Sequence, residues 1–258
     1  MRRRVLAVAL ALAAATAAPA ASAPASGGLV ERGYHLYGQY CIACHGVAGS
    51  GKTVIGAGPG RSPTQQRATA PSLRGVGALA ADFYLRTGYM PLPHLGMEPR
   101  RSRVFFDEQQ IRALVAYVAS LRPGPPVPRP HPERGDLSRG QHLYTEHCAG
   151  CHQVVAEGGY LTGAIPPSLL EATPTQIAEA VRIGPYVMPR FSQKALPSSD
   201  LNSIIRYVEY AKHPDDRGGW ALGHLGPVPE GLVTWLIAAA ILVAVCIVIG
   251  KRLKGEAG

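Results

Sequence analysis

CIACHGVAGSGKT, Cys41 to Thr53, carries two motifs that cannot both be real. From Cys41 it reads C-x-x-C-H, the attachment turn of a c-type haem. From Gly46 it reads G-x-x-x-x-G-K-T, the loop that cradles the phosphates of a nucleotide. A phosphate loop needs a hydrophobic strand before Gly46 and a helix opening at Lys52. The chain offers the Cys-Cys-His turn before it and VIGAGPGRSP, Val54 to Pro63, after it, a stretch that breaks any helix.

A second copy of the turn decides between them. RGYHLYGQYCIACHG from Arg32 lies over RGQHLYTEHCAGCHQ from Arg139 with a constant offset of 107, so that Arg, Gly, His, Leu, Tyr, both Cys and the final His coincide. The match continues through PSL at Pro71 and Pro167, R-x-G at Arg86 and Arg182, Met-Pro at Met90 and Met188, and YV at Tyr117 and Tyr207. One module has been duplicated. Residues 46–53 have no counterpart in the second copy, so the phosphate-loop match is a glycine-rich coincidence and no nucleotide is expected.

Haem c is held by two thioethers while the adjacent histidine gives its imidazole to iron, which is why these three groups must share one short turn. Cys41, Cys44, Cys148 and Cys151 are therefore the expected covalent attachment sites for two haem c groups, with His45 and His152 as axial ligands. The sixth ligand follows by elimination. After Met1 only Met90, Met97 and Met188 remain, and Met90 and Met188 both precede proline at repeat-equivalent positions. Thioether sulfur is a usual partner of histidine in cytochromes c, so Met90 and Met188 are the expected ligands. Met97 and His94 compete in the first module, and His213 is the alternative to Met188. A carbonyl near Pro71 and one near Pro167 are placed to accept the Nδ1 hydrogen of each axial histidine. His35 and His142, on the presumed first helix of each module, read as solvated or packing residues.

Outside the modules the chain carries two apolar segments. Arg2 to Arg4, an apolar run from Val5 to Ala18 and Ala21-Ser22-Ala23 form the pattern of an export signal ending at residue 23, with a retained anchor as the alternative. Residues 231–250 hold no charge and match the ~20 residues that span a bilayer. Lys251, Arg252 and Lys254 follow at once, which places the tail, 251–258, in the cytoplasm and everything between signal and helix outside. Between Pro24 and Glu230 there are 20 basic and 16 acidic residues, a balance of +4 without a basic stripe, and no nucleic acid is expected as a partner. Cys246 lies inside the membrane segment.

Each module ends in an amphipathic helical pattern. Ile111, Leu114, Val115, Val118 and Leu121 recur at helical spacing behind a capping box of Asp107 and Gln110, and Leu201, Ile204, Ile205 and Val208 do so behind Ser198 to Asp200. RPGPPVPRPHPERGD, Arg122 to Asp136, holds six prolines and reads as a semi-rigid extended connection. The expected organisation is all-α: domains at 29–122 and 136–213, a Pro-rich linker at 123–135, a juxtamembrane segment at 214–230 and one transmembrane helix at 231–250.

On these residues the modules resemble class I cytochrome c. The resemblance implies that Gly33 and Gly140 let the first helix of each module cross the last one closely, with Tyr37, Tyr117, Tyr144 and Tyr207 packed at the crossing. The whole arrangement, with GGWALGHLGPVPEGLVTWLI from Gly218 before the tail, resembles the dihaem cytochrome c subunit of the actinobacterial cytochrome bc1 complex. That family implies a menaquinol-oxidising oxidoreductase with a cytochrome b subunit and a Rieske iron-sulfur subunit, passing electrons to a haem-copper oxidase in a supercomplex. No independent substrate chemistry is expected. Two alternatives are a dihaem enzyme with an open iron site, and a cytochrome anchored beside a different dehydrogenase or acting as a tethered shuttle.

Overall fold

A computed structural model describes residues 26–55, 67–93, 97, 100–214 and 227–256. The expected export segment, His94 and most of 214–230 lie outside the described residues. In the first module α1 (Ser26–Tyr40) leads into the one-turn α2 (Ile42–His45), and α3 (Gly77–Arg86) and α4 (Glu108–Leu121) complete the set. The second module repeats it with α5 (Leu137–His147), α6 (Ala149–His152), α7 (Pro174–Ile183) and α8 (Ser198–Lys212).

The helix starts follow from side chains. Gln110 N–H donates to Asp107 Oδ1 at 2.8 Å while Asp107 N–H donates to Gln110 Oε1 at 3.0 Å, the reciprocal box expected from the sequence. Thr173 and Gln176 build the same box at α7, with Pro174 in the first turn, where its missing N–H costs nothing. The apolar faces point inward, with Ile111, Leu114 and Val118 buried on α4, and Leu201, Ile204, Ile205 and Val208 on α8.

The main packing is α1 on α4 and α5 on α8. A Cβ on Gly33 would stand 2.0 Å from the Ala113 carbonyl oxygen, and one on Gly140 would stand 2.0 Å from that of Ser203. Both crossings therefore need glycine. Beside them Tyr37 meets Tyr117 and Tyr144 meets Tyr207, each pair with centroids 5.1 Å apart and planes at 49°.

One departure from an entirely helical chain is a two-stranded antiparallel ribbon, β1 (Lys52–Ile55) with β2 (Arg67–Ala70), Lys52 opposite Ala70 and Ile55 opposite Arg67. Thr53, Val54 and Ile55 are β-branched and favour extended backbone. Lys52 thus opens a strand where a phosphate loop requires a helix. The second module has only a bridge between Leu161 and Ala164.

The proline-rich connection is tied at both ends rather than free. Leu79 N–H donates to the Pro125 carbonyl at 3.1 Å, His131 N–H to Asn202 Oδ1 at 2.9 Å, and Arg206 Nη1 to the Gly135 carbonyl at 2.7 Å. The modules also touch directly, because α3 packs on its repeat equivalent α7. Beyond them α9 (Pro227–Glu256) contains an apolar stretch, Gly231–Arg252, of mean hydropathy 3.0 with none of it buried. At ~1.5 Å per residue this stretch is long enough to cross the ~30 Å hydrocarbon core of a bilayer.

Candidate haem sites

Both Cys-Cys-His turns are one helical turn closed by the same hydrogen bonds. His45 N–H donates to the Cys41 carbonyl at 2.8 Å and Cys44 N–H to the same oxygen at 3.1 Å; His152 and Cys151 do so to Cys148 at 2.9 and 3.1 Å. The turn puts two thiols and one imidazole at the end of the glycine-bearing helix. The chain then leaves with a positive φ, 72° at Gly46 and 60° at Gln153.

Each histidine is aimed by a proline carbonyl. His45 Nδ1–H donates to the Pro71 oxygen at 3.0 Å, and His152 Nδ1–H donates to the Pro167 oxygen at 3.0 Å. A carbonyl only accepts, so the proton sits on Nδ1 and Nε2 keeps its lone pair for a metal. Burial lowers the His152 pKa, outweighing the Pro167 hydrogen bond, and favours the neutral imidazole that ligates. The carbonyl partners expected from the sequence are present in both copies.

Burial, and behind it the neighbouring Cys44, pushes Cys41 up to about 11, and burial with Cys151 pushes Cys148 up to about 12, so the first cysteine of each turn is held as the thiol. Among the described residues no group of three or more His, Cys, Asp or Glu is arranged to hold a metal ion by itself.

Beside the second turn lies a cavity of about 690 Å³ lined by Cys148, Cys151, His152 and Met188, with Leu169, Ile177, Val181, Ile204 and Val208 as apolar walls. Tyr160, Ile165, Tyr186 and Val187, also in its lining, are more than half exposed. An apolar slot with two thiols, an oriented imidazole and a thioether on its walls fits a covalently attached, flat macrocycle with an axially ligated iron. The first module contributes Phe83, Thr87, Tyr89, Arg100 and Arg101 to this lining. In the first module Met90 packs against the core formed by Tyr37, Leu85, Phe106 and Leu114, whereas Met97 is 40% exposed.

His35 and His142 are exposed and face Glu31 at 3.1 Å and Glu146 at 3.8 Å, one turn away along their helices, in keeping with a solvated role. Sequence reasoning missed the first module's share in the second cavity. It also missed Asp82 and Glu179 at the contact of α3 with α7. The i, i+4 spacing of Asp82 and Arg86 was visible, but nothing in IAEAVRI marks Glu179 as buried.

The fold and the paired turns define a tandem cytochrome c protein, the class whose domains carry covalent haem c. The cytochrome c family model matches residues 30–122, and the model described as cytochrome c oxidase, cbb3-type, subunit III matches residues 135–208. More particularly, the chain belongs to the family of cytochrome bc1 complex cytochrome c subunits. It is 33% identical over 242 residues to the subunit of that name from Corynebacterium diphtheriae, covering 87% of this chain and 81% of the relative. To that of Mycobacterium tuberculosis (strain ATCC 25618 / H37Rv) it is 35% identical over 238 residues, covering 88% and 80%. To that of Mycobacterium leprae it is 34% identical over 237 residues, covering 88% and 77%. Among solved structures, the Kuenenia stuttgartiensis reducing HAO-like protein complex aligns at 20% identity and a TM-score of 0.34 over 70% of this chain and 96% of that one, too distant to inform the fold.

Proposed function

We propose that this chain is the membrane-anchored dihaem subunit of a quinol-oxidising bc1 complex, taking electrons from a Rieske iron-sulfur subunit and delivering them to a haem-copper oxidase. The observation that carries this is the twofold occurrence of a Cys-Cys-His turn with its histidine held on a proline carbonyl, in a chain whose relatives are bc1 subunits. Cys41 and Cys44 hold the first haem and Cys148 and Cys151 the second. His45 with Met90, and His152 with Met188, would ligate the two irons. Two haems so bound supply reversible one-electron transfer at iron.

The rest is the work of this chain's own residues. Pro71 and Pro167 fix the imidazole planes and raise their basicity. Met90 and Met188 would each give a thioether to iron, which would leave substrate no site on the metal. Gly33 and Gly140 bring the first and last helices of each module into backbone contact beside the turn. α9 tethers the modules to the outer face of the cell membrane, with the basic residues after Gly250 in the cytoplasm. A cytochrome b subunit is the neighbour within the complex.

Mild detergent extraction of the full chain tests the assembly. Cytochrome b, a Rieske protein and a haem-copper oxidase are expected to co-purify. Isolation with a different dehydrogenase would overturn the bc1 placement, and carbon monoxide binding to the reduced protein would overturn the closed axial sites.

A further inference from the structure

Glu179 is an acid that none of the roles above uses. It lies on α7, fully buried, and neither of its carboxyl oxygens has a hydrogen-bond donor. Across the contact of α7 with α3 stands a second buried acid, Asp82, 7% exposed, whose charge bears on Glu179. Asp82 in turn accepts from Arg86 Nε at 2.9 and 2.8 Å, and Arg86 Nη2 donates to Glu108 at 2.9 Å. One guanidinium therefore binds two carboxyl groups, Asp82 and Glu108, and gives no hydrogen bond to Glu179.

Two ionised carboxylates only accept, so they cannot bond to each other, and side by side in a low-dielectric seam they repel. A proton converts the repulsion into an O–H···O bond. Burial, followed by the Asp82 charge, pushes Glu179 well above the usual carboxylate range, with Arg86 opposing. Of the other cations on the helices packed here, Lys212 on α8 donates to the Ala172 carbonyl and to Glu209, Arg206 donates to the Gly135 carbonyl, and Arg182 on α7 gives Nη1 to the Phe191 and Ser192 carbonyls while its Nη2 is buried without a partner.

The pair stands between a charge and a source of water. Phe83 and Ala180, the chain neighbours of Asp82 and Glu179, line the second haem cavity. Asp82, Arg86, Glu108 and Gln176 line a separate cleft of about 620 Å³ between the modules. We propose that Asp82 and Glu179 form a proton-binding site across the module seam, holding one shared proton that is exchanged with water as the charge in the second haem cavity changes. Loss of one electron from that cavity to a downstream one-electron acceptor leaves one added positive charge. The pair answers by releasing one proton to water in the cleft, and it takes one back on re-reduction. Only a carboxyl O–H bond is broken and remade.

The proposal rests on the reading of haem in the second module, and the test separates the two. The full-length protein is titrated potentiometrically at a series of pH values, with haem content measured alongside, for the wild type, Glu179→Gln and Asp82→Asn. A carboxylate left by proton loss favours the more positive iron, so the wild-type potential of the second haem should fall as pH rises through the neutral and mildly alkaline range. Glu179→Gln keeps the shape and removes the titrating group, so most of that slope should vanish with both haems retained. Asp82→Asn removes the repulsion and should move the slope to lower pH. A carboxyl C=O band in the reduced-minus-oxidised infrared spectrum should be present in the wild type and absent from Glu179→Gln. A slope unchanged in Glu179→Gln would overturn the proposal and assign the proton elsewhere, and so would a pH-independent wild type. Absence of covalent haem from the second module would instead overturn the reading beneath it. Should Glu179→Gln fail to fold, the Asp82→Asn titration and the wild-type infrared band decide.

Discussion

The two modules share their helix crossing yet steady their Cys-Cys-His turns with different hydroxyls. In the first, Tyr37 O–H donates to the Gly46 carbonyl at 2.7 Å and accepts from Gly49 N–H at 3.0 Å. In the second, the equivalent Tyr144 hydroxyl is buried without a partner, and Tyr207 donates to the Val154 carbonyl at 2.9 Å. The cause is the loop after the turn. Gly49 leaves its N–H to the tyrosine, whereas Ala156, which replaces it at the same offset, gives its N–H to the Gln153 carbonyl at 3.2 Å. A duplicated helix pair preserves what the crossing demands and lets the loops drift. The ribbon β1–β2, present in one copy only, belongs to the same drift.

Removing both thiols from one copy separates the modules most sharply. Cys41→Ser with Cys44→Ser, or Cys148→Ser with Cys151→Ser, should each leave about half the covalent haem, since each turn serves its own group; a haemochrome assay reads the content. Retention of full covalent haem by either variant would break the equivalence.

The crossings come next. Gly33→Ala and Gly140→Ala both drive a methyl onto a backbone carbonyl, and each should cost roughly 3 kcal/mol or more, since overpacking of this kind exceeds the ordinary 1–3 kcal/mol. Thermal unfolding of the holoprotein should show similar losses for the two. A mild effect in one copy alone would show that its helices can separate.

Exchange of the proposed methionine ligands is a smaller perturbation, because it leaves the helix crossings and the attachment cysteines intact. Met188→His should lower the potential of the second haem, imidazole favouring ferric iron relative to thioether sulfur, and Met90→His should do the same for the first. Total haem should stay constant while quinol-to-oxygen turnover falls. Unchanged potentials in Met188→His would make Met188 a packing residue and bring His213 into consideration.

The finest contrast lies in the hydroxyls themselves. Tyr37→Phe loses two hydrogen bonds and strands two buried partners, for about 1–3 kcal/mol. Tyr144→Phe removes a buried hydroxyl that has no protein partner and should be close to neutral. Equal costs in denaturant unfolding would mean that Tyr144 finds a partner when the cavity is filled.

Much of the site was legible before any fold was known. Covalent attachment requires contiguous residues, so the Cys-Cys-His turns are written locally, and the duplication shows which neighbours travel with them. The duplication marked Pro71 and Pro167, the resemblance to class I cytochrome c implied the role of Gly33 and Gly140, and the capping box at Asp107 followed from its spacing to Gln110. The ribbon was hidden because the sequence reading weighed the glycine-rich run only as a helix breaker, and β1 is a short strand whose partner lies across that run. The proline-rich connection read as extended, which it is, but its pinning to Asn202 and to the backbone of α3 depends on groups remote in the chain.

Local chemistry was thus set by the order of residues: where the thiols and imidazoles sit, which segment is apolar enough to cross a membrane, and which helices are amphipathic. What the tertiary structure alone decided is the meeting of α3 with α7. That contact lends the second cavity a wall from the first module and buries Glu179 against Asp82. An acid's burial depends on which surface another module presents to it, and no local pattern in either helix carries that information.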